Sequence, residues 1–178
     1  MDTARSRPHR LPVRELTLLP IQPLDDVALQ AVLEALRIRG VNVHCKRAIL
    51  RPRGSYSTPR RQLRADVLLE SVARCKERPI LGLTDADCYA GRLHFVFGIA
   101  DVGQGAAVVS LFRLRIHATG STFIERAMKE IFHELGHAAG LRHCPNSRCV
   151  MHFSNSLVET DFKEEHLCAA CAAEFMEK

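Results

Sequence analysis

Between His133 and His143 the chain reads HELGHAAGLRH, and this run constrains the fold more than any other part of the sequence. His133 and His137 stand four residues apart, so on a helix they share a face with Cα atoms about 6 Å apart. That separation lets both imidazoles reach one zinc at about 2.0–2.1 Å. Glu134 is turned away from this ligand row, better placed to hold a zinc-bound water than to bind the metal. Gly140 lets the chain leave the helix and reverse at positive φ, so that His143 arrives as the third ligand. Three neutral ligands leave zinc its full charge and an open position, where water is acidified and a substrate carbonyl polarised. Glu134 then takes the proton of the attacking water and passes it to the leaving amine. HExxH alone also turns up on ordinary surface helices; the longer pattern is far harder to reach by accident.

The flanking residues agree with a helix. Thr122-Phe-Ile-Glu125 is a capping-box pattern expected to open it, and Gly140 is expected to close it. Ile124, Met128, Ile131 and Leu135 form an apolar stripe opposite the two histidines, so one side packs and the other faces a cleft.

Upstream, Glu15–Ile21 (ELTLLPI) is expected to be a strand, ended by Pro23. Asp25 or Asp26 caps a helix with Val27, Leu29, Val32, Leu33 and Leu36 inward, stopped by Gly40. A second strand begins at Val41–His44, and Arg51–Ser57 is a loop rich in Pro, Gly and Ser. A second helix is expected from about Arg60 to Lys76 with Leu63, Val67, Leu68 and Val72 inward. Strands at Ile80–Thr84, Leu93–Ala100 and Ala107–Leu114 follow, the last two joined by the turn DVGQG at Asp101–Gly105. This order, closed by the long helix, is that of an α/β sheet domain. After Gly140 no strand is expected and Cys and His dominate. Residues 1–140 therefore read as a sheet-containing N-terminal subdomain and 141–178 as a small C-terminal one, within a single domain of 178 residues. So small a second part needs a staple.

Cys144, Cys149, Cys168 and Cys171 supply one, as C-x4-C-x18-C-x2-C. Paired short spacings across a longer loop suit a closed tetrahedral thiolate zinc site, giving two zincs per chain, one catalytic and one structural. Asp161-Phe-Lys-Glu164 is expected to cap a terminal helix carrying Cys168 and Cys171. Cys45, Cys75 and Cys88 lack such spacing and read as small core residues or inert thiols.

A hydrophobic fraction of 47% and a charged fraction of 25% are those of a soluble globular protein. The N-terminal MDTARSRPHRLPVREL is basic without an apolar run, so a cytoplasmic protein with no pro-segment and no membrane span is expected. The net charge of +5 is uneven: nine acids face six bases from Ser121 onward, leaving +8 in the first 120 residues. Arg5, Arg7, Arg10, Arg14, Lys46, Arg47, Arg51, Arg53, Arg60, Arg61 and Arg64 supply most of that excess. Solvated surface is the plain reading, and attraction of acidic partners the functional one. With no Trp, only two Tyr and no base-reading motif, nucleic acid is not expected as a partner.

HELGHAAGLRHCPNSRCVM, from His133 to Met151, followed by CAAC at Cys168–Cys171, resembles the archaemetzincins, the zinc metalloproteases of peptidase family M54. The segments LPI, LTDADCY and FVFGIADVGQGAAVVSLFRL resemble the sheet of that family more loosely. The resemblance implies a metzincin-like zincin domain: a twisted, mixed five-stranded sheet with a backing helix and an active-site helix, plus a zinc-stapled C-terminal subdomain. It implies His133, His137 and His143 as catalytic-zinc ligands, Glu134 as general base, and Met151 as the Met-turn methionine. Cys144, Cys149, Cys168 and Cys171 match the structural-zinc ligands. Leu93–Ala100 corresponds to the edge strand above the cleft, where a peptide or protein substrate would add as an extended strand.

Two departures stand out. Sixteen residues separate Met151 from Cys168, one fewer than in the family pattern, which trims a loop. Where some metzincins place an oxyanion-stabilising Tyr two positions after the Met, this chain has Phe153, leaving Arg142 and His152 as candidates. The expected protein is thus a monomeric zinc metallopeptidase. The alternative is a zinc-stabilised peptide- or protein-binding module with weak or no turnover.

Overall fold

The computed structural model describes residues 12–177; Arg5, Arg7 and Arg10 of the basic N-terminus lie outside them. Strand β1 (Glu15–Pro20) leads into helix α1 (Asp26–Ile38), whose first turn is closed by Asp25 accepting from the N–H groups of Val27 and Ala28. Strand β2 (Asn42–Cys45) returns beside β1. Short strands β3 (Tyr56–Ser57) and β4 (Gln62–Arg64) precede helix α2 (Ala65–Ala73). Then come β5 (Ile80–Thr84), β6 (Cys88–Tyr89), β7 (Gly98–Asp101) and β8 (Ala106–Ser110). Helix α3 (Gly120–Ala138) carries the histidine motif, and α4 (Leu157–Phe162) and α5 (Ala169–Met176) follow.

The main sheet has the order β2-β1-β5-β8-β7, parallel except for β7, which runs antiparallel to β8. Alternation along the strands splits its side chains between two layers. Leu18, Leu81, Leu83 and Val109 pack with Val32 and Leu36 of α1 and Met128 and Ile131 of α3. Leu19, Ile80 and Val108 face the other way, against Leu68 and Val72 of α2. Covered on both sides, β5 and β8 are buried at every position, so they read as unbroken apolar runs. Strands β3, β4 and β6 form a second small sheet.

The mixed five-stranded sheet, the backing helix and the long helix are as expected, and several boundaries are not. Helix α2 starts at Ala65 rather than near Arg60, because Arg61 takes φ 56° and Gln62–Arg64 pairs as a strand with β3 and β6. Leu63 points inward from that strand, and Val67 is only half-buried. The segment from Leu93 to Phe97 stays out of the ladder. Strand β8 ends at Ser110, whose N–H donates to the Phe97 carbonyl, and the last bond to the sheet is from Leu111 N–H to the carbonyl of Thr84, where β5 ends. The expected strand Ala107–Leu114 therefore stops early, and Arg113–Arg115 forms a single 3-10 turn. Val27, expected inward, is 77% exposed at the start of α1.

Helix α3 begins at Gly120 with Thr119 at its N-cap, so Thr122 sits inside the first turn and the capping box does not form. Its end is as anticipated: α3 stops at Ala138, and Gly140 takes φ 92°. Asp161 does not cap the last helix either. It lies within α4, where its carboxylate pairs with Arg126 of α3, and Cys168 occupies the N-cap of α5. Of the three unassigned cysteines, Cys88 is buried, Cys75 half-buried and Cys45 exposed, so Cys45 is no core residue.

Candidate metal centre

Helix α3 lays its apolar stripe in the core: Met128, Ile131 and Leu135 are buried and Ile124 half-buried. The opposite face brings His133, Glu134 and His137 to a cleft of about 390 Å³. Its far wall runs from Leu93 through Phe95, Phe97 and Gly98 to Ala100, and its near wall is Phe153, Ser154 and Asn155. After Gly140 the chain turns back and delivers His143 to the same point. One ring nitrogen from each of the three histidines lies within 4.8 Å of the others.

Backbone carbonyls orient two of these rings. His133 Nδ1 lies 2.7 Å from the Val150 carbonyl and His137 Nδ1 2.8 Å from that of Leu141. A carbonyl only accepts, so each Nδ1 carries the proton and each Nε2 keeps its lone pair for a metal. The two Nε2 atoms stand 3.2 Å apart, close to the edge of about 3.3 Å expected for nitrogens bound tetrahedrally to one zinc. Loss of water around the rings holds all three imidazoles below the usual histidine range, buried His133 far below it; the Lys163 ammonium adds to this at each, and neighbouring rings add to it at His133 and His143. At neutral pH they are therefore neutral, the form that binds a cation.

Glu134 is buried beside them, and burial, then the Glu130 carboxylate, push it up to about 8. A dication at the imidazole nitrogens would draw it down again. Two glycines make the site possible. A Cβ at Gly98 would fall 2.5 Å from Glu134 Cγ, and one at Gly136 would fall 2.3 Å from Met151 Sδ. Met151 is fully buried, with its thioether against α3 one residue before His137. Phe153 lies over His143 with ring centres 4.9 Å apart. Arg142 is exposed, and half-buried His152 has its Nδ1 3.1 Å from the Cys144 carbonyl.

The four C-terminal cysteines also converge, their sulfurs within 4.8 Å of one another. Cys144 Sγ and Cys168 Sγ are 3.8 Å apart, which is about the tetrahedral edge for two thiolates at 2.3 Å from one zinc. The Cys168 N–H donates to Cys149 Sγ at 3.3 Å, and Cys144 N–H to the Met151 carbonyl at 2.9 Å. Burial alone would raise the Cys168 thiol, but hydrogen bonds from the Cys171 N–H and the neighbouring thiols bring it down to about 7.

One polar cluster has no counterpart in the sequence reading. Lys163 is fully buried and its Nζ lies 3.0 Å from Glu130 Oε1, which also accepts from Thr160 Oγ1 at 3.0 Å. Glu130 lines the cleft one turn before Glu134. Its place four residues before Glu134 is the only sequence signal that could have singled it out; nothing local marks Lys163 as buried.

A mixed sheet whose edge borders a cleft floored by an HExxH helix defines a zinc-dependent metallopeptidase. The sequence model of peptidase family M54 matches residues 52–177. An archaemetzincin from Haloquadratum walsbyi is 37% identical over 169 residues, 86% of this chain and 96% of that protein. An archaemetzincin from Methanopyrus kandleri is 45% identical over 133 residues, 74% of this chain and 75% of its own. The crystal structure of an Archaeoglobus fulgidus archaemetzincin complexed with malonate superposes with a TM-score of 0.82 at 33% identity, covering 90% of this chain and 99% of that one. The chain belongs to peptidase family M54, the archaemetzincins, and is a zinc metalloprotease.

Proposed function

We propose that the protein hydrolyses peptide bonds at the cleft above α3, with His133, His137 and His143 holding the catalytic zinc and Glu134 as general base. The observation that carries this is the pair of Nε2 atoms 3.2 Å apart, each on a ring whose Nδ1 is tied to a carbonyl. Three neutral nitrogen donors fit zinc with a position left open. Zinc so held lowers the pKa of water towards neutrality and polarises a carbonyl.

The chain's own residues do the rest. The Glu134 carboxylate takes the proton of the attacking water and hands it to the nitrogen of the leaving amine, so the C–N bond breaks to an acid and an amine. Gly98, the first residue of β7, leaves room for that carboxylate. Strand β7 is last in its sheet, and a substrate would pair along this edge as an added strand. We assign Cys144, Cys149, Cys168 and Cys171 to a second, structural zinc, and Met151 to the Met-turn beneath the first. Residues 1–140 and 141–178 then act as one catalytic domain, the second part stapled by its own metal. No helix among the described residues is long and apolar enough to cross a membrane, and unpaired cysteines suit a reducing, cytoplasmic compartment.

Zinc counting and a peptide-library screen of wild type and Glu134→Ala test the assignment. Two zincs per chain are expected, with cleavage by wild type and none by the variant. Cleavage that survives Glu134→Ala would overturn the mechanism. Zinc-loaded protein that binds peptides and cleaves none would make it a binding module.

A further inference from the structure

The cleft is apolar along its walls and bordered by arginines at one end. Its walls are apolar at Phe95, Phe97 and Phe153, and the far wall ends at exposed Leu93 and His94. There the small sheet brings Arg60 against it. Arg60 Nη1 donates to the Leu93 carbonyl at 2.9 Å, and the guanidinium carbon lies 4.3 Å from the centre of the Tyr89 ring. The side chain is thereby fixed, while the rest of its five-donor fork has no hydrogen-bond partner among the described residues. The acids nearby are already neutralised. Asp87 accepts two bonds of 2.8 Å from Arg113, and Asp66 pairs with Arg64 at 2.7 Å. Arg61 and Arg92, both exposed and next in sequence to Arg60 and Leu93, have no ion pair among the described residues; the three arginines do not line the cleft itself but give it a cationic rim beyond Leu93.

We propose that Arg60 is a specificity residue, selecting peptides that place a carboxylate at the Leu93 end of the cleft. This rests on the peptidase reading above. The carboxylate is that of an acidic side chain or of the peptide's own C-terminus, since a guanidinium fork binds either in the same bidentate way. Stacking on Tyr89 has already ordered the fork, so binding costs it little further freedom.

Matched fluorogenic peptides, apolar at the scissile bond, carry Asp or Asn moved one position at a time along each side. A second pair compares free and amidated C-termini. At one register the zinc-loaded enzyme should favour the carboxylate about tenfold in kcat/KM. That ratio should fall towards one in Arg60→Ala and only partly in Arg60→Lys, which keeps the charge and loses the fork. It should hold in Arg74→Ala, which removes an exposed arginine paired with Glu70 on α2. An effect of amidation alone assigns the carboxylate to the C-terminus. Fluorescence anisotropy with zinc-loaded Glu134→Ala reads the same ratio in binding. A ratio near one at every register and terminus, or one that survives Arg60→Ala, overturns the proposal. If wild type cleaves nothing while the binding ratio holds, the peptidase reading falls and the selectivity stands; if the binding ratio is also one, the selectivity falls.

Discussion

Glu134 has a fixed place because Gly98 gives it one. Its Cγ stands where a side chain on β7 would begin, 2.5 Å from an ideal Cβ at Gly98. A single methyl there must push the carboxylate or the edge strand aside, and a displacement of about 1 Å at a catalytic group can cost about 10²-fold in rate. Gly98→Ala is therefore expected to lower kcat by roughly that factor while leaving bound zinc unchanged, since the atoms nearest a Cβ at Gly98 all belong to Glu134. Metal analysis beside steady-state kinetics checks this; a loss of zinc would place the damage at the ligands instead. Gly136 answers to the same geometry on the other face of α3, where Met151 occupies the space of a missing side chain.

Helix α4 is docked on α3 by two ion pairs of different character. Lys163 and Glu130 are buried, so removing one partner leaves a charge with nothing to balance it. Lys163→Met should cost about 3–5 kcal/mol in urea unfolding of the zinc-loaded protein, and adding Glu130→Leu should recover most of it. A double variant no more stable than the single one would show that the pair is not the source. Arg126 and Asp161 form the second pair, with the Asp161 side chain 43% exposed. Hydrogen bonding to the Arg126 guanidinium holds Asp161 below the usual carboxylate range. Because the folded value lies below the unfolded one of about 3.9, this stabilisation is present above that pH. It is lost as pH falls through the folded value. Asp161→Asn should flatten the stability loss below about pH 4, though only modestly, since solvent screens so exposed a pair. An acid limb of unchanged slope would count against it.

At the scale of the whole molecule the two proposed metals share a chain segment. His143 and Cys144 are neighbours, and Cys144 is tied back to the Met151 carbonyl beneath the histidines. The Val150 carbonyl that orients His133 is also in this segment, between Cys149 and Met151. Loss of the thiolate zinc should therefore loosen the histidine site as well as the C-terminal staple. Cys171→Ser is expected to lose one zinc, bind the other more weakly under chelator competition, and lose activity. One zinc lost with activity unchanged would show that the sites are independent.

The convergence of the three histidines and of the four cysteines was legible from residue spacing, because helical i, i+4 geometry and paired short cysteine spacings are local and stereochemical. Gly140 and the apolar stripe of α3 were legible for the same reason. The strand at Gln62–Arg64 was not, since a helical period in the sequence gave way to ladder pairing with residues distant in the chain. Nor were the burial of Lys163, the gap at Gly98 or the fixing of Arg60 against Leu93. Each depends on two segments meeting in space, and no pattern along a single chain records what stands opposite. The sequence by itself determined which side chains could hold metals; the tertiary structure decided what packs against Glu134 and where Arg60 stands at the end of the cleft.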